Sequence, residues 1–135
     1  MNAHYSFQVD RARDLVRIQM GGLFASADIA AFLEARRLAH AELRCAPNQH
    51  LTLNDVRGMK IQPQEGVAAF RLMLSDPAYQ SRRLAFVASQ TLARSQLMRA
   101  LADRDARCFD TVEEAEAWLF DEAAEQEPLR RYASR

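Results

Sequence analysis

Apolar and polar residues alternate twice near the start of the chain, first over residues 5–9 and again over residues 15–20. An alternation with a period of two is typical of a β-strand that buries one face. The polar stretch DRARD at residues 10–14 separates the two runs and is short enough for a turn. The pattern therefore predicts an antiparallel hairpin whose second strand ends at Gly21 and Gly22.

After this hairpin, helical periodicity alternates with short apolar runs. The predicted helices cover residues 26 to about 43 or 45, residues 63 to 75, a segment that opens at Ser89 or Thr91, and a segment that opens at Asp110 or Thr111. Strands are predicted at residues 51–56, 84–88 and 106–109. The order β-β-α-β-α-β-α-β-α predicts a single α/β domain, with a mixed, mainly parallel sheet of about five strands packed by about four helices.

Length and composition agree with one soluble domain. The chain has 135 residues, of which 49% are hydrophobic and 27% charged, as in ordinary globular proteins. Basic and acidic residues both number 18, so no net charge favours binding to nucleic acid or to an anionic membrane. We assign residues 1–122 to the domain and residues 123–135 to a polar C-terminal tail. A small domain with a polar tail often uses the tail across a subunit interface, so a homodimer is a further expectation.

The cysteines and the absence of targeting signals indicate a cellular compartment. Cys45 and Cys108 form neither a CxxC pair nor a metal-ligand spacing. We expect two buried, unpaired thiols, which suits a reducing environment. Neither a signal-peptide core nor a membrane-spanning stretch is recognisable in the sequence. These features predict a cytoplasmic protein.

The segment DVRGMKIQPQEGV, residues 55–67, lies between the third predicted strand and the second predicted helix. It resembles the strand–loop–helix signature of STAS domains, roughly D-L-S-G-V-x-x-I-D-S-S-G-L, with Asp55, Gly58 and Gly66 aligned without gaps. The SpoIIAA-like subgroup is more similar, because it shares the opening strand-turn-strand, D-V-R-G, a strand like LAFVA, and the ending F-x-x-x-x-E-A-x-x-W-L. This resemblance covers roughly residues 5–120. It implies a STAS/SpoIIAA-like fold and a role in bacterial regulation through protein partners.

One departure from the STAS pattern concerns phosphorylation. In the anti-sigma-factor antagonists that typify the family, a serine at the start of the second helix accepts a phosphate. Gln64 occupies that position here, between Pro63 and Glu65, and no Ser or Thr lies between Asp55 and Leu74. The phosphorylation switch is therefore not implied for this chain. Glu65 is a favourable acid for the first turn of any helix.

The loops after three parallel strands are expected to meet at one edge of the sheet. They would gather Asp55, Arg57, Gln64, Ser89, Thr91 and Arg94 near two helix N-termini, which could hold an anion or a polar head group. The alternative is that Asp55 and Arg57 pair with each other or cap a helix. The candidate surface for a ligand or partner comprises Asp55, Arg57, Gly58, Met59, Gln64, Glu65, Ser89, Thr91 and Arg94.

No residue set specifies a reaction. His4, His40 and His50 form no metal-binding pattern, and neither cysteine has a recognisable base beside it. We therefore predict no catalytic residue, no metal ligand and no cofactor.

Three functional hypotheses follow. The first is a non-catalytic regulatory or protein-interaction module, which an exposed apolar patch around Met59 and Val67 would support. The second is a carrier of a small apolar ligand, since SpoIIAA-like domains are distantly similar to CRAL-TRIO lipid-binding domains. The feature that would support this hypothesis is a cavity lined by Phe32, Phe70, Met73, Phe86 and Leu97. The third is an enzyme acting at the Asp55–Arg94 edge, which would need two polar groups in opposite protonation roles.

Overall fold

A computed structural model describes residues 2–89, 92–100 and 106–121. Within these ranges the elements are β1 (His4–Asp10), β2 (Leu15–Gly22), α1 (Ser26–His40), β3 (Leu51–Met59), α2 (Gln64–Leu74), β4 (Arg83–Val87), α3 (Leu92–Ala100), β5 (Arg107–Phe109) and α4 (Val112–Leu119). A 3₁₀ turn, Pro77–Tyr79, precedes β4. The strands form one sheet in the order β1-β2-β3-β4-β5. Among the described strands, β1 runs antiparallel to β2, and β2 to β5 are mutually parallel. The predicted fold class is therefore confirmed.

Helices cover both faces of the sheet unequally. On one face, α4 packs Ala115 and Leu119 against apolar side chains of β2, β3 and β4: Leu15, Leu51, Leu53, Ala85 and Val87. On the other face, α1 and α2 cover Val16, Ile18 and Met20 of β2 with Phe32, Phe70 and Met73. Leu84 and Phe86 of β4 face the same way and contact Leu97 of α3. Alternate residues of β4 thus enter opposite cores, which explains its continuous apolar run.

Helix ends differ from the sequence prediction by a few residues. Helix α1 ends at His40 rather than at residue 43 or 45, because the following turn is tightened: the Glu42 and Leu43 amides bond carbonyls three residues back, at 3.1 Å each. Leu43 still packs against the core. At the other end, Asp28 accepts a hydrogen bond from the Ala25 amide at 2.8 Å, so Ser26 lies inside the first turn.

The remaining boundaries lie close to the predictions. Thr111, one of the two residues predicted to open the last helix, caps α4 and accepts a hydrogen bond from the Glu114 amide at 3.2 Å. Cys45 and Cys108 are free but half-buried, which corrects the expectation of two buried thiols. The described helices are all too short or too polar to cross a bilayer.

Candidate functional site

The carboxyl ends of β3 and β4 open into a cleft between α2 and α3, with a water-accessible volume of about 70 Å³. Its floor comes from Val56 and Phe86, and its walls from Val67 and Phe70 of α2 and Leu97 of α3. Three methionines, Met20, Met59 and Met73, also belong to the apolar lining. Four of the five side chains expected around a ligand cavity therefore lie here: Phe70, Met73, Phe86 and Leu97. The fifth, Phe32, lies instead in the aromatic cluster with Tyr5, Phe7 and Phe24.

Asn54 is a polar residue within this apolar lining. It lies on β3, is only 4% exposed, and lines the cleft. Its Oδ1 atom is shielded from solvent and accepts no hydrogen bond. An unsatisfied buried polar group costs about 1–3 kcal/mol. Sequence reasoning missed Asn54, although a signal existed: it is polar in the middle of a strand whose neighbours Leu51 and Leu53 are buried.

Gln62, in the loop before α2, is the hydrogen-bonding centre of the cleft edge. Its Oε1 accepts from the Phe24 amide at 3.1 Å, and its Nε2 donates to the Gly22 and Lys60 carbonyls at 3.0 and 2.6 Å. The side-chain amide of Gln96 on α3 binds both backbone groups of Gln62, each at 2.7 Å. These bonds join the loop before α2 to the β2–α1 connection and to α3. They hold the two walls of the cleft in place.

Asp55 and Arg57 pair with each other, which is the alternative that the sequence left open. Arg57 donates to the Asp55 carboxylate from its backbone N, Nε and Nη2 at 3.1, 3.0 and 2.7 Å. Partial burial acts to raise the pKa of Asp55, but the hydrogen bonds and charge of Arg57 outweigh it and leave that pKa below its ordinary value. Asp55 is therefore a carboxylate at neutral pH and a poor general acid.

The candidate residues occupy different surfaces. Arg57, Met59, Ser89 and Arg94 line the cleft. Asp55 lies beside Arg17 and Gln19 on the opposite face of the sheet, because it follows Asn54 on a pleated strand. Asp55 and Arg94 therefore line different pockets, although Asp55 binds Arg57 of the cleft lining.

The other candidates lie outside the cleft lining. Gln64 and Glu65 are exposed in the first turn of α2, and Gly58 is exposed near the end of β3. Thr91 lies outside the described residues.

The cleft mouth carries basic side chains, of which two are held by acids. Arg94 donates to Asp110 at 2.8 Å and to the Ala88 carbonyl at 3.3 Å. Arg57 is held by Asp55 as described, and Lys60 also lines the cleft. An anion at this mouth would have to compete with the carboxylates for both arginines.

Four of the described histidine and cysteine side chains are at least partly buried: His40, Cys45, His50 and Cys108. The rings of His40 and His50 meet edge to face at 4.8 Å, a contact that the sequence spacing did not reveal. Burial lowers the pKa of His40 and raises the pKa of Cys108 and of Cys45. In the parts of the chain that the structure describes, no three His, Cys, Asp or Glu side chains are grouped closely enough to hold a metal ion.

This architecture matches solved structures. An uncharacterised protein of the DUF3478 family with a SpoIIAA-like fold, from Shewanella loihica, superposes with a TM-score of 0.68 at 13% identity, covering 88% of this chain and 96% of that one. This chain has a SpoIIAA-like fold. An anti-sigma factor antagonist from Mycobacterium paratuberculosis superposes with a TM-score of 0.58, also at 13% identity, over 87% of this chain and 96% of that one.

At this identity the likeness shows the SpoIIAA-like fold alone. No known family and no curated protein matches the sequence. The fold implied by the resemblance to SpoIIAA-like proteins is confirmed, whereas a function must be argued from the surface and the cleft.

Proposed function

We propose that this protein is a non-catalytic regulatory module of the bacterial cytoplasm that binds a protein partner through the loop after β3 and the outer face of α2. The observation that carries this proposal is the exposure of large apolar side chains there. Leu72 on α2 is 76% exposed and Ile61 in the loop is 52% exposed. Met59 and Val67, where an exposed patch was expected, are half-buried at the cleft.

A partner would gain free energy by covering the exposed apolar side chains of this surface. Burying a leucine or isoleucine side chain is worth about 1.5–3 kcal/mol. Leu72 lies on the same helical face as Ala68 and Glu65, four and seven residues earlier, so this face combines apolar contact with an acidic residue. The segment is continuous from Ile61 to Leu72, and a partner groove could engage the loop and the helix together.

The non-catalytic part of the proposal is supported by the state of the ionisable groups. Arg57 forms an ion pair with the Asp55 carboxylate, and the lowered pKa of Asp55 keeps that group ionised at neutral pH. The raised pKa values of Cys45 and Cys108 keep both thiols protonated at neutral pH, and a protonated thiol is a weak nucleophile. Free, unpaired cysteines also suit a reducing cytoplasm.

Partner binding would not be switched by phosphate at the STAS position. Gln64 occupies that exposed site and offers no hydroxyl, and the residue beside it, Glu65, has a carboxyl group. A carboxylate lacks a phosphate's second charge and its extra acceptor oxygen.

The proposal is tested by quantitative affinity capture from the native host with the wild type and charged variants. Leu72→Asp and Ile61→Asp should each reduce recovery of the partner at least tenfold. Leu38→Asp is the matched control, because Leu38 is 55% exposed on α1 and lies beside Ser6 and Phe7 of β1. Equal recovery by Leu72→Asp and Leu38→Asp would refute the proposal. Native mass spectrometry reveals whether the partner is a second copy of this chain, in which case Leu72→Asp should abolish the dimer.

The cleft between α2 and α3 favours a second candidate, the carriage or sensing of a small apolar molecule. Its observation is the apolar lining that includes Phe70, Met73, Phe86 and Leu97. Ligand pockets in proteins are typically concave and apolar with few polar groups.

A further inference from the structure

We propose that the cleft between α2 and α3 binds a small, mainly apolar molecule that carries a hydroxyl group, and that the Asn54 amide recognises this hydroxyl. This inference rests on the second candidate function, ligand carriage. It does not involve the exposed face of α2, so binding of a ligand and binding of a protein partner can fail separately.

The size of the cleft sets the size of the ligand. One water needs about 10–15 Å³ of such volume, so the 70 Å³ present here has room for several non-hydrogen atoms. Met20, Met59 and Met73 line the cleft, and methionine side chains adjust their shape at low cost. A single six-membered ring with one substituent is therefore the scale of molecule that the cleft can take.

The chemistry of the ligand is indicated by Asn54. An amide offers both a donor and an acceptor, and rotation about its last side-chain bond exchanges their positions. Oδ1 has no hydrogen-bond partner although it is shielded from solvent. A hydroxyl also donates and accepts, so it can satisfy the amide in either orientation. Asn54 therefore has a capacity for binding that the folded chain itself does not use.

Comparison with the neighbouring amides separates a binding role from a structural one. Gln62 and Gln96 line the same cleft, but both use their amides to bond the backbone of other segments. Those contacts build the frame of the cleft. Asn54 makes no such contact through Oδ1, and a merely structural residue at this position would be expected to be apolar.

The test uses phenol and toluene, two probes of equal size that differ by a hydroxyl. Methyl groups of the methionines are labelled with ¹³C in the full chain. Titration with phenol should shift the methyl signals of Met20, Met59 and Met73, which line the cleft, and leave Met98 on α3 unshifted. Met98→Leu assigns the control signal. Absence of any shift in the three cleft methyls at millimolar phenol would overturn the proposal.

The role of Asn54 is measured by a ratio. The ratio of the toluene to the phenol dissociation constant should be about tenfold lower in Asn54→Leu than in the wild type, the equivalent of one hydrogen bond. This ratio cancels the difference in hydration between the probes. Asn54→Leu should also be at least as stable as the wild type, because it removes an unsatisfied buried acceptor. An unchanged ratio refutes recognition by Asn54.

A second variant tests the binding site if Asn54→Leu fails to fold. Val67→Phe adds bulk to the half-buried wall of the cleft and leaves Asn54 in place. It should weaken phenol binding at least tenfold. Full phenol affinity in Val67→Phe would place binding outside the cleft and overturn the proposal.

Discussion

Replacing Gln62 with leucine should lower the free energy of unfolding by about 3 kcal/mol, because a buried side chain that makes three hydrogen bonds is lost. The three bonds do not contribute equally. After the substitution the Gly22 carbonyl keeps its bond from the Lys60 amide at 3.2 Å. The Lys60 carbonyl belongs to an exposed residue, so water can replace the lost donor.

The largest loss is at the Phe24 amide. Phe24 is only 3% exposed, and its N–H would lose the Gln62 acceptor. An orphaned buried donor costs about 1–3 kcal/mol, and each of the two other bonds contributes about 0.5–1.5 kcal/mol. Because the two other carbonyls keep or regain a donor, their contributions lie near the lower end of that range, and with about 2 kcal/mol for the Phe24 amide the sum is about 3 kcal/mol. The backbone bonds between Gln62 and Gln96 do not require the Gln62 side chain and should persist.

Urea unfolding, followed by the fluorescence of the single tryptophan, Trp118, measures this change. With a slope of about 1.5 kcal/mol per molar urea, the midpoint should fall by about 2 M. Gln64→Leu is the control, since Gln64 is an exposed glutamine two residues along, and surface changes of this kind shift stability by about 0.5 kcal/mol or less. If both variants unfold at the same urea concentration, Gln62 is not the hydrogen-bonding centre described above.

Three further predictions concern a glycine, a helix cap and a histidine. Gly22→Ala should lower the free energy of unfolding by more than about 2 kcal/mol, because Gly22 has a φ of +80° and a Cβ there would lie 2.2 Å from the Asn2 carbonyl oxygen. Thermal unfolding measures this loss. Gly58→Ala is the control and should leave the melting temperature nearly unchanged, because the nearest atom to a Cβ at that position is 3.4 Å away. Thr111→Ala should lower the free energy of unfolding, measured with urea, by about 1 kcal/mol, whereas Thr111→Ser keeps the N-cap hydroxyl and should lower it little. Equal losses of stability in the two variants would contradict the capping role of Thr111. Burial lowers the pKa of His40 in the folded state, so the unfolded state binds more protons. The free energy of unfolding should therefore fall as the pH drops below about 7 and level off beneath the pKa of the folded state. His40→Gln should flatten this part of the plot of unfolding free energy against pH, and an unchanged slope of that plot would show that His40 is not responsible.

The order of strands and helices was predictable because it depends on short-range pattern. The alternation in residues 5–9 and 15–20 gave β1 and β2, and the continuous run LAFVA gave β4. Capping and breaking residues such as Thr111 placed helix ends within a few residues. These signals are local, since they reflect backbone preferences and the side on which each residue lies. The SpoIIAA-like fold could be recognised from the same segments.

The candidate site was less predictable, because it depends on which face of the sheet each helix covers. The pleat places Asn54 and Asp55 on opposite faces, but only the packed structure shows that α2 and α3 cover the face of Asn54. Asp55 was therefore expected beside Arg94, whereas the cleft instead contains Asn54, whose polarity in the middle of an apolar strand could not show which face of the sheet the helices would cover.

The sequence by itself determined the elements, their order and the missing hydroxyl at Gln64, because each of these is written in neighbouring residues. Only the tertiary structure decided the cleft and its frame. Gln62 bonds Phe24 and Gln96, which are 38 and 34 positions away along the chain. Such contacts form only when the chain packs, because the residues next to a glutamine do not indicate which distant backbone group its side-chain amide will bind.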